Sequence, residues 1–345
     1  MRRCIQLAEM GAGRVAPNPM VGAVLVWQDT IIGEGYHQAL GQAHAEVNCI
    51  NSVPANQKQL ISESTLYVSL EPCTHFGKTP PCSDFIIHHK IAKIVIACKD
   101  LSEKINGKGI HKLQEAGLEV ITGVLEKEAI NLNRRFFIFH LMQRPYIILK
   151  WAQTVDGFIG TKGSRLKISN QFTDRLVHKW RSEEPAIMVG TGTVLNDNPS
   201  LTVRLVEGKN PVRIIIDKEL KIPASLNVFN EEASTIIFNE LKEGVYKNLM
   251  YYKIEKDTDV LFQAMKLLYK NGILSVLIEG GAQLLQSFID LGLWDEARII
   301  INNSLQINEG VAAPVFHSEN PYKREEILND SILYFLNGEH KIEEY

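Results

Sequence analysis

Five cysteines in 345 residues are too few and too scattered for a disulfide framework. Cys4, Cys49 and Cys98 read as reduced core thiols. No apolar run reaches the length of a membrane span, and Met1-Arg2-Arg3-Cys4 begins no signal-peptide apolar core. These absences predict a cytoplasmic protein with no membrane partner. Neither sign of charge is in excess. A net charge of −3 leaves no basic footprint for nucleic acid, and the composition offers no support for a base-stacking surface. Internal repeats and low-complexity tracts are missing, as is the G-x-G-x-x-G turn of dinucleotide-binding folds. What remains is ordinary globular composition in a chain longer than one core usually organises, so two domains are expected.

Helix and strand patterns alternate along the chain, as they do in α/β folds. An amphipathic helix from Arg2 to about Gly11 precedes a Pro-Asn-Pro turn. A buried strand, Val21 to Trp27, pairs across Gln28-Asp29 with Ile31 to Gly33. A helix begins at His44 and runs to about Ile50. Strand Thr65 to Leu70, helix Cys82 to His89, strand Lys93 to Cys98, helix Gly107 to Ala116 and strand Leu118 to Thr122 follow. Glu126 to Leu141 reads as one helix, and Pro145 disfavours helix just before it. The boundary therefore falls near Met142 to Arg144, giving domains 1–143 and 144–345. Beyond it, strands are expected at Tyr146 to Lys150, Ala186 to Val189, Val212 to Ile216, Ser234 to Phe238 and Ser275 to Ile278. Helices are expected at Asn170 to Arg181, Asp259 to Lys270 and Gly281 to Asp290.

The chemistry is concentrated in His44-Ala45-Glu46, Pro72-Cys73 and Cys82. One imidazole and two thiolates suit a tetrahedral Zn²⁺ whose fourth position is left to water. Glu46 stands two residues from the histidine, within reach of that water without being a fourth ligand. This is the signature of zinc deaminases, in which activated water attacks an amidine-like ring carbon and the glutamate shuttles protons to departing ammonia. Such enzymes usually space the cysteines C-x-x-C, whereas eight residues, Thr74 to Pro81, separate them here. The spacing alone leaves two other readings open: buried thiols and an unrelated histidine, or His75 as a ligand beside Cys73. The loop follows a clean strand and is shaped by Gly77, Pro80 and Pro81. Lys78 within it favours an anionic substrate such as a phosphate ester.

In the second half, Val276-Leu277-Ile278-Glu279-Gly280-Gly281-Ala282 is a buried strand running through two glycines into a helix. Such a turn offers backbone N–H groups to a phosphate. Tight turns account for most Gly-Gly pairs at strand ends, so the signal is weak by itself.

Ala16-Pro17-Asn18-Pro19-Met20-Val21-Gly22-Ala23-Val24, His44-Ala45-Glu46-Val47 and the Cys73–Cys82 loop resemble the bacterial bifunctional riboflavin-biosynthesis deaminase–reductase family, RibD or RibG. The long cysteine spacing is that family's own variant. Lys150-Trp151-Ala152-Gln153-Thr154-Val155-Asp156-Gly157, Val189 to Pro199 and Leu201-Thr202-Val203-Arg204 resemble its reductase half, so the likeness spans the chain. The resemblance implies a cytidine-deaminase-like zinc domain followed by a dihydrofolate-reductase-like domain using NADPH. It implies zinc on His44, Cys73 and Cys82, with Glu46 catalytic. Asn18, His37, His75 and Lys78 are then expected to contact a phosphorylated pyrimidine. Gln153, Leu166, Thr193, Asp197, Gly281, Ala282 and Gln283 are expected at the cofactor. Lys150, Ser164, Arg181, Leu201, Arg204 and Glu279 are expected at the second substrate site, where Arg181 and Arg204 suit phosphate clamps. A homo-oligomer is the expected assembly.

Two segments depart from the family pattern. Asp100 to Asn106 replaces the usual Asp-Pro-Asn turn, and Leu166 stands where a Trp is usual near the cofactor. Two rival readings remain at this level. One is a nucleic-acid deaminase with an appended non-catalytic domain. The other is an interaction module whose structural zinc is closed by His75.

Overall fold

The computed structural model describes residues 1–76, 80–102, 105–161, 166–256, 258–318 and 320–338. It divides into two compact units, Met1–Gln143 and a second beginning at Arg144. Among the described residues no helix is long and apolar enough to cross a membrane.

The first unit is built on five strands, β1 (Gly22–Trp27), β2 (Thr30–Tyr36), β3 (Thr65–Leu70), β4 (Lys93–Cys98) and β5 (Glu119–Thr122), in the order β2-β1-β3-β4-β5. β1 runs antiparallel to β2 and β3, while β3, β4 and β5 are parallel. Gln28 and Asp29 both take positive φ, the geometry that lets a two-residue turn follow the twist of its strands. Among the described residues six α-helices cover the sheet: α1 (Arg2–Glu9), α2 (Ala45–Asn51), α3 (Cys82–His88), α4 (Lys108–Glu115), α5 (Glu126–Leu132) and α6 (Arg134–Met142). Alternation along the strands sorts the side chains between the two faces. Ala23, Leu25, Leu66, Val68, Ile94 and Ile96 pack with Cys49, Ile50, Ile86 and Leu113 of α2, α3 and α4. Val24 meets Cys4 and Leu7 of α1, and Ala97 meets Ala129 and Phe137 of α5 and α6.

The single helix expected over 126–141 is two helices, because Asn133 leaves the helical path. Its buried amide donates to the Met20 carbonyl at 2.9 Å and accepts from the Met20 N–H at 2.8 Å. A polar side chain tied to a distant backbone competes with helix continuation, which local periodicity does not register.

The second unit carries strands β6 (Tyr146–Thr154), β7 (Phe158–Gly160), β8 (Ala186–Gly190), β9 (Val212–Ile216), β10 (Thr235–Asn239), β11 (Gly244–Tyr246), β12 (Leu249–Lys253), β13 (Ser275–Ile278), β14 (Glu296–Asn302), β15 (Val311–Ala312), β16 (Lys323–Ile327) and β17 (Asp330–Leu336). Its helices are α7 (Gln171–Glu183), α8 (Thr191–Asp197), α9 (Val260–Lys270) and α10 (Ala282–Asp290). Ten strands form one sheet in the order β11-β12-β10-β9-β8-β13-β6-β14-β17-β16. From β12 through β14 every pairing is parallel, and the flanking strands are antiparallel. Helices on a parallel sheet bury both its faces, which explains the near-continuous apolar runs of β9, β10 and β13. The expected alternation misses β7, β11, β12, α8 and the strands from β14 onward. β14 and β17 read poorly alone but pair over seven residues, Glu296↔Leu336 to Asn302↔Asp330.

Candidate active sites

In the first unit, three chain segments bring His44, Cys73 and Cys82 together. His44 is the N-cap of α2, Cys73 follows β3, and Cys82 is the first residue of α3. The His44 Nδ1 lies 3.6 Å from Cys73 Sγ and 3.3 Å from Cys82 Sγ. All three donor atoms fall within 4.8 Å of one another. A tetrahedral zinc separates its nitrogen and sulfur donors by about 3.6 Å, so donor chemistry and spacing both fit that ion. His75 is exposed and outside the cluster, which leaves three protein donors and favours an open over a closed site.

The two thiols divide their protonation. Cys73 is held well below the usual thiol value, chiefly by its hydrogen bond with Cys82. Cys82 is raised by the same bond and by burial. His44 is raised chiefly by its bond to Cys73. A cation binding here takes the place of shared protons. Glu46, in the first turn of α2, is 3% exposed, and its carboxyl reaches the Cys82 thiol. Burial pushes that carboxyl up to about 6, and Cys73 adds to the shift.

Asn18 and His37 meet beside this cluster. The His37 Nδ1 lies 3.1 Å from the Ala43 carbonyl, which can only accept, so this nitrogen carries the proton. Nε2 is then the acceptor for the Asn18 amide, at 3.1 Å. With both ring nitrogens engaged and 2% exposure, His37 orients Asn18 and braces the chain before His44. Its ring packs edge-on against His44, with centroids 5.2 Å apart. Lys78 lies outside the described residues.

In the second unit, Lys150, Arg181 and Glu279 form one ion cluster. Arg181 donates Nε and Nη2 to the two Glu279 oxygens at 2.8 and 2.7 Å, and Lys150 Nζ stands 3.6 Å from Oε2. Burial by itself would raise the Glu279 carboxyl, but Arg181 and Lys150 outweigh it and hold the group near 2. Burial lowers Lys150. The Arg181 fork, expected as a phosphate clamp, is thus engaged on Glu279 through two of its nitrogens. Arg204 is exposed; its Nη1 donates to Thr202 at 2.9 Å and its backbone N–H donates to His178 Nδ1 at 3.0 Å. His178 is lowered to about 4, mainly by burial and then by Arg181 and Arg204. It therefore accepts as a neutral ring.

Thr193 and Gly281 also meet, the Gly281 N–H donating to Thr193 Oγ1 at 2.8 Å. The two turns touch closely enough that a Cβ on Gly280 would lie 3.2 Å from the Gly190 nitrogen. The start of α10 therefore opens where parallel strands β8 and β13 end, the region where open α/β sheets bind ligands. Ala282 continues this turn, while Gln283 and Asp197 are exposed. Leu201 is buried with φ at +53°, a strained conformation for leucine. Gln153 accepts from the Trp151 indole at 2.7 Å. Leu166 is half-buried, and Ser164 lies outside the described residues. Sequence reasoning missed His178, whose isolated position on a helix carries no signal. It also missed Glu71, although that residue adjoins the Pro-Cys motif.

Two family models match the sequence: the cytidine and deoxycytidylate deaminase zinc-binding region over residues 1–98 and the RibD C-terminal domain over residues 145–305. The riboflavin biosynthesis protein RibD of Aquifex aeolicus (strain VF5) is 42% identical over 311 residues, covering 87% of this chain and 85% of its own length. That of Bacillus amyloliquefaciens is 40% identical over 320 residues, with 88% and 85% covered. A solved structure of the diaminohydroxyphosphoribosylaminopyrimidine deaminase/5-amino-6-(5-phosphoribosylamino)uracil reductase of Thermotoga maritima superposes with a TM-score of 0.86. Its identity is 36%, covering 97% of this chain and 96% of that one. The second unit thus answers to a RibD domain, which disfavours an unrelated appendage on a nucleic-acid deaminase. Since single relatives match both halves in one continuous stretch, the chain belongs to the RibD family of riboflavin biosynthesis proteins.

Proposed function

We propose that the chain performs two consecutive reactions of riboflavin biosynthesis, one in each domain, 1–143 and 144–345. The first removes the 2-amino group of 2,5-diamino-6-(5-phosphoribosylamino)pyrimidin-4-one as ammonia. The second reduces the ribosyl chain of the deaminated product to ribityl, with NADPH as the reductant. The convergence of His44 Nδ1, Cys73 Sγ and Cys82 Sγ beside a buried Glu46 supports the first reaction most strongly.

In this reading His44, Cys73 and Cys82 hold zinc, which supplies the Lewis acidity that makes water nucleophilic near neutral pH. Glu46 takes a proton from that water on a carboxylate oxygen and passes it to the ring nitrogen. It then takes the second proton, from the hydroxyl added to the ring carbon, and gives it to the amine, which leaves as ammonia while that carbon becomes a carbonyl. Burial of Glu46 suits a carrier that must both accept and release a proton. Asn18, oriented by His37, presents its amide to the pyrimidine, and His75 with Lys78 meets the phosphate. Replacing Cys82 by Ser is expected to lower zinc content severalfold. An unchanged metal stoichiometry would make Cys82 a packing residue.

For the reductase half, Thr193, Asp197, Gly281, Ala282 and Gln283, with Gln153 and Leu166, would hold the nicotinamide cofactor. The nicotinamide carries the hydride, and the protein supplies orientation. Lys150, Ser164, Leu201 and Arg204 are assigned to the substrate site, and Glu279 holds the Arg181 fork in place. Arg204 has the more exposed guanidinium, so Arg204→Ala is expected to raise the reductase KM for the phosphorylated substrate about tenfold or more. A wild-type KM would remove the clamp role.

Incubating zinc-loaded protein with the diaminopyrimidinone ribosyl phosphate, with and without NADPH, tests the whole reading. Ammonia should appear without NADPH, and NADPH oxidation should follow deamination. Absence of both signals in zinc-loaded protein would refute it.

A further inference from the structure

Glu71 follows β3 directly and leads through Pro72 into Cys73. The residue is 3% exposed, and its carboxyl group is surrounded by backbone N–H donors. Oε1 accepts from Gly109 at 2.8 Å and Ile110 at 3.1 Å, in the first turn of α4. Oε2 accepts from Asp100 at 3.1 Å and Gly107 at 3.0 Å. One carboxylate therefore ties together the start of a helix and both ends of the 100–107 segment, where the chain departs from the family pattern. Acceptance by an ionised group at a helix N-terminus is among the stronger hydrogen-bond arrangements.

The backbone around Glu71 is equally committed. A Cβ at Gly109 would come within 2.2 Å of the Pro72 carbonyl oxygen, so α4 rests directly on the chain entering Cys73. Gly107 caps α4 with φ at +89°, a conformation suited to glycine. The Glu71 N–H donates to the Cys98 carbonyl at 3.0 Å, which continues the β3–β4 pairing to the edge of the metal loop. On the other side of Cys73, its carbonyl accepts from the Ser83 N–H at 3.1 Å. The Cys82 N–H points at its sulfur from 3.4 Å.

We propose that Glu71 is a positioning residue for the metal centre, preorganising the Cys73 thiolate by locking Glu71-Pro72-Cys73 onto α4 and the 100–107 segment. The inference rests on the zinc-site reading above. It assigns Glu71 no contact with metal or substrate. Glu71→Gln keeps the shape but turns one acceptor oxygen into an NH₂ group facing two N–H donors. The side chain can then satisfy only one of its two donor pairs, and the other pair is repelled.

The test uses the full-length chain as wild type, Glu71→Gln and Gly109→Ala. Zn²⁺ affinity is measured by competition with a chelating dye, and thiolate geometry by the charge-transfer absorption of the Co²⁺-substituted protein. Both variants should bind Zn²⁺ about 10–100-fold more weakly, the range expected when a group orienting a ligand is lost. Their Co²⁺–thiolate bands should shift or weaken, with NADPH-dependent reduction unchanged. Gly109→Ala keeps the carboxylate's charge but drives a methyl group against the Pro72 carbonyl oxygen and, at 3.1 Å, against Glu71 Cγ and Oε1. It disturbs the same lock by a second route and carries the test if Glu71→Gln fails to fold. Wild-type affinity and an unaltered Co²⁺ spectrum in a folded variant would overturn the proposal alone. A wild-type chain that takes up no zinc would overturn the metal-site reading, and this proposal with it.

Discussion

Glu46→Gln is expected to retain zinc and lose ammonia release by about 10²–10⁴-fold, the usual contribution of a positioned general acid–base group. The amide matches the carboxyl in shape, and Glu46 is not among the three clustered donors, so metal content should hold. What disappears is a proton site, because an amide neither accepts the proton from water nor returns one to the amine. A loss of 10³-fold corresponds to about 4 kcal/mol of transition-state stabilisation. Parallel measurement of zinc stoichiometry and ammonia release distinguishes this outcome from a damaged site. Activity within a few-fold of wild type would remove Glu46 from the proton-carrier role.

Glu279→Gln is expected to destabilise the second unit by about 3–5 kcal/mol, the cost of leaving a buried charge without its partner. Glu279 receives both nitrogens of the Arg181 fork and lies beside Lys150, with side-chain exposures of 7%, 14% and 12% respectively. Neutralising the carboxylate leaves two cations close together in low dielectric. Lys150 can respond by releasing its proton, since burial already lowers it. Urea unfolding monitored by near-ultraviolet circular dichroism measures the effect, and the deaminase reaction should persist at low denaturant. A loss below about 1 kcal/mol would mean that the cluster sheds its charge readily and contributes little to stability.

Much of the first site was legible in the sequence because metal chemistry restricts residue type. Few side chains bind zinc, and His-x-Glu with Pro-Cys at a strand end names them without reference to their partners. The second site was legible mainly through its resemblance to the family. Gly280-Gly281 marked a turn, but Thr193 lies 88 positions away from its hydrogen-bond partner Gly281, a distance no local pattern spans. Arg181 shows the limit from the other direction. Its residue type suits a phosphate clamp, yet the fold commits its fork to Glu279.

The fold follows the same division. Strands buried on both faces announced themselves as apolar runs, since helices cover both sides of a parallel sheet. The later antiparallel strands did not, because Lys323–Ile327 is largely charged and is stabilised by pairing with Asp330–Leu336. By itself, the sequence determined the α/β class, the family and the residue types available for metal binding. These depend on composition, period and spacing, which the linear chain contains. Only the tertiary structure decided that Asn133 breaks a helix, that Arg181 and Lys150 share one carboxylate, and that Glu71 gathers four N–H groups beside Cys73. Each of these depends on polar groups brought together from distant segments, where burial makes an unmet hydrogen bond or charge too costly to leave.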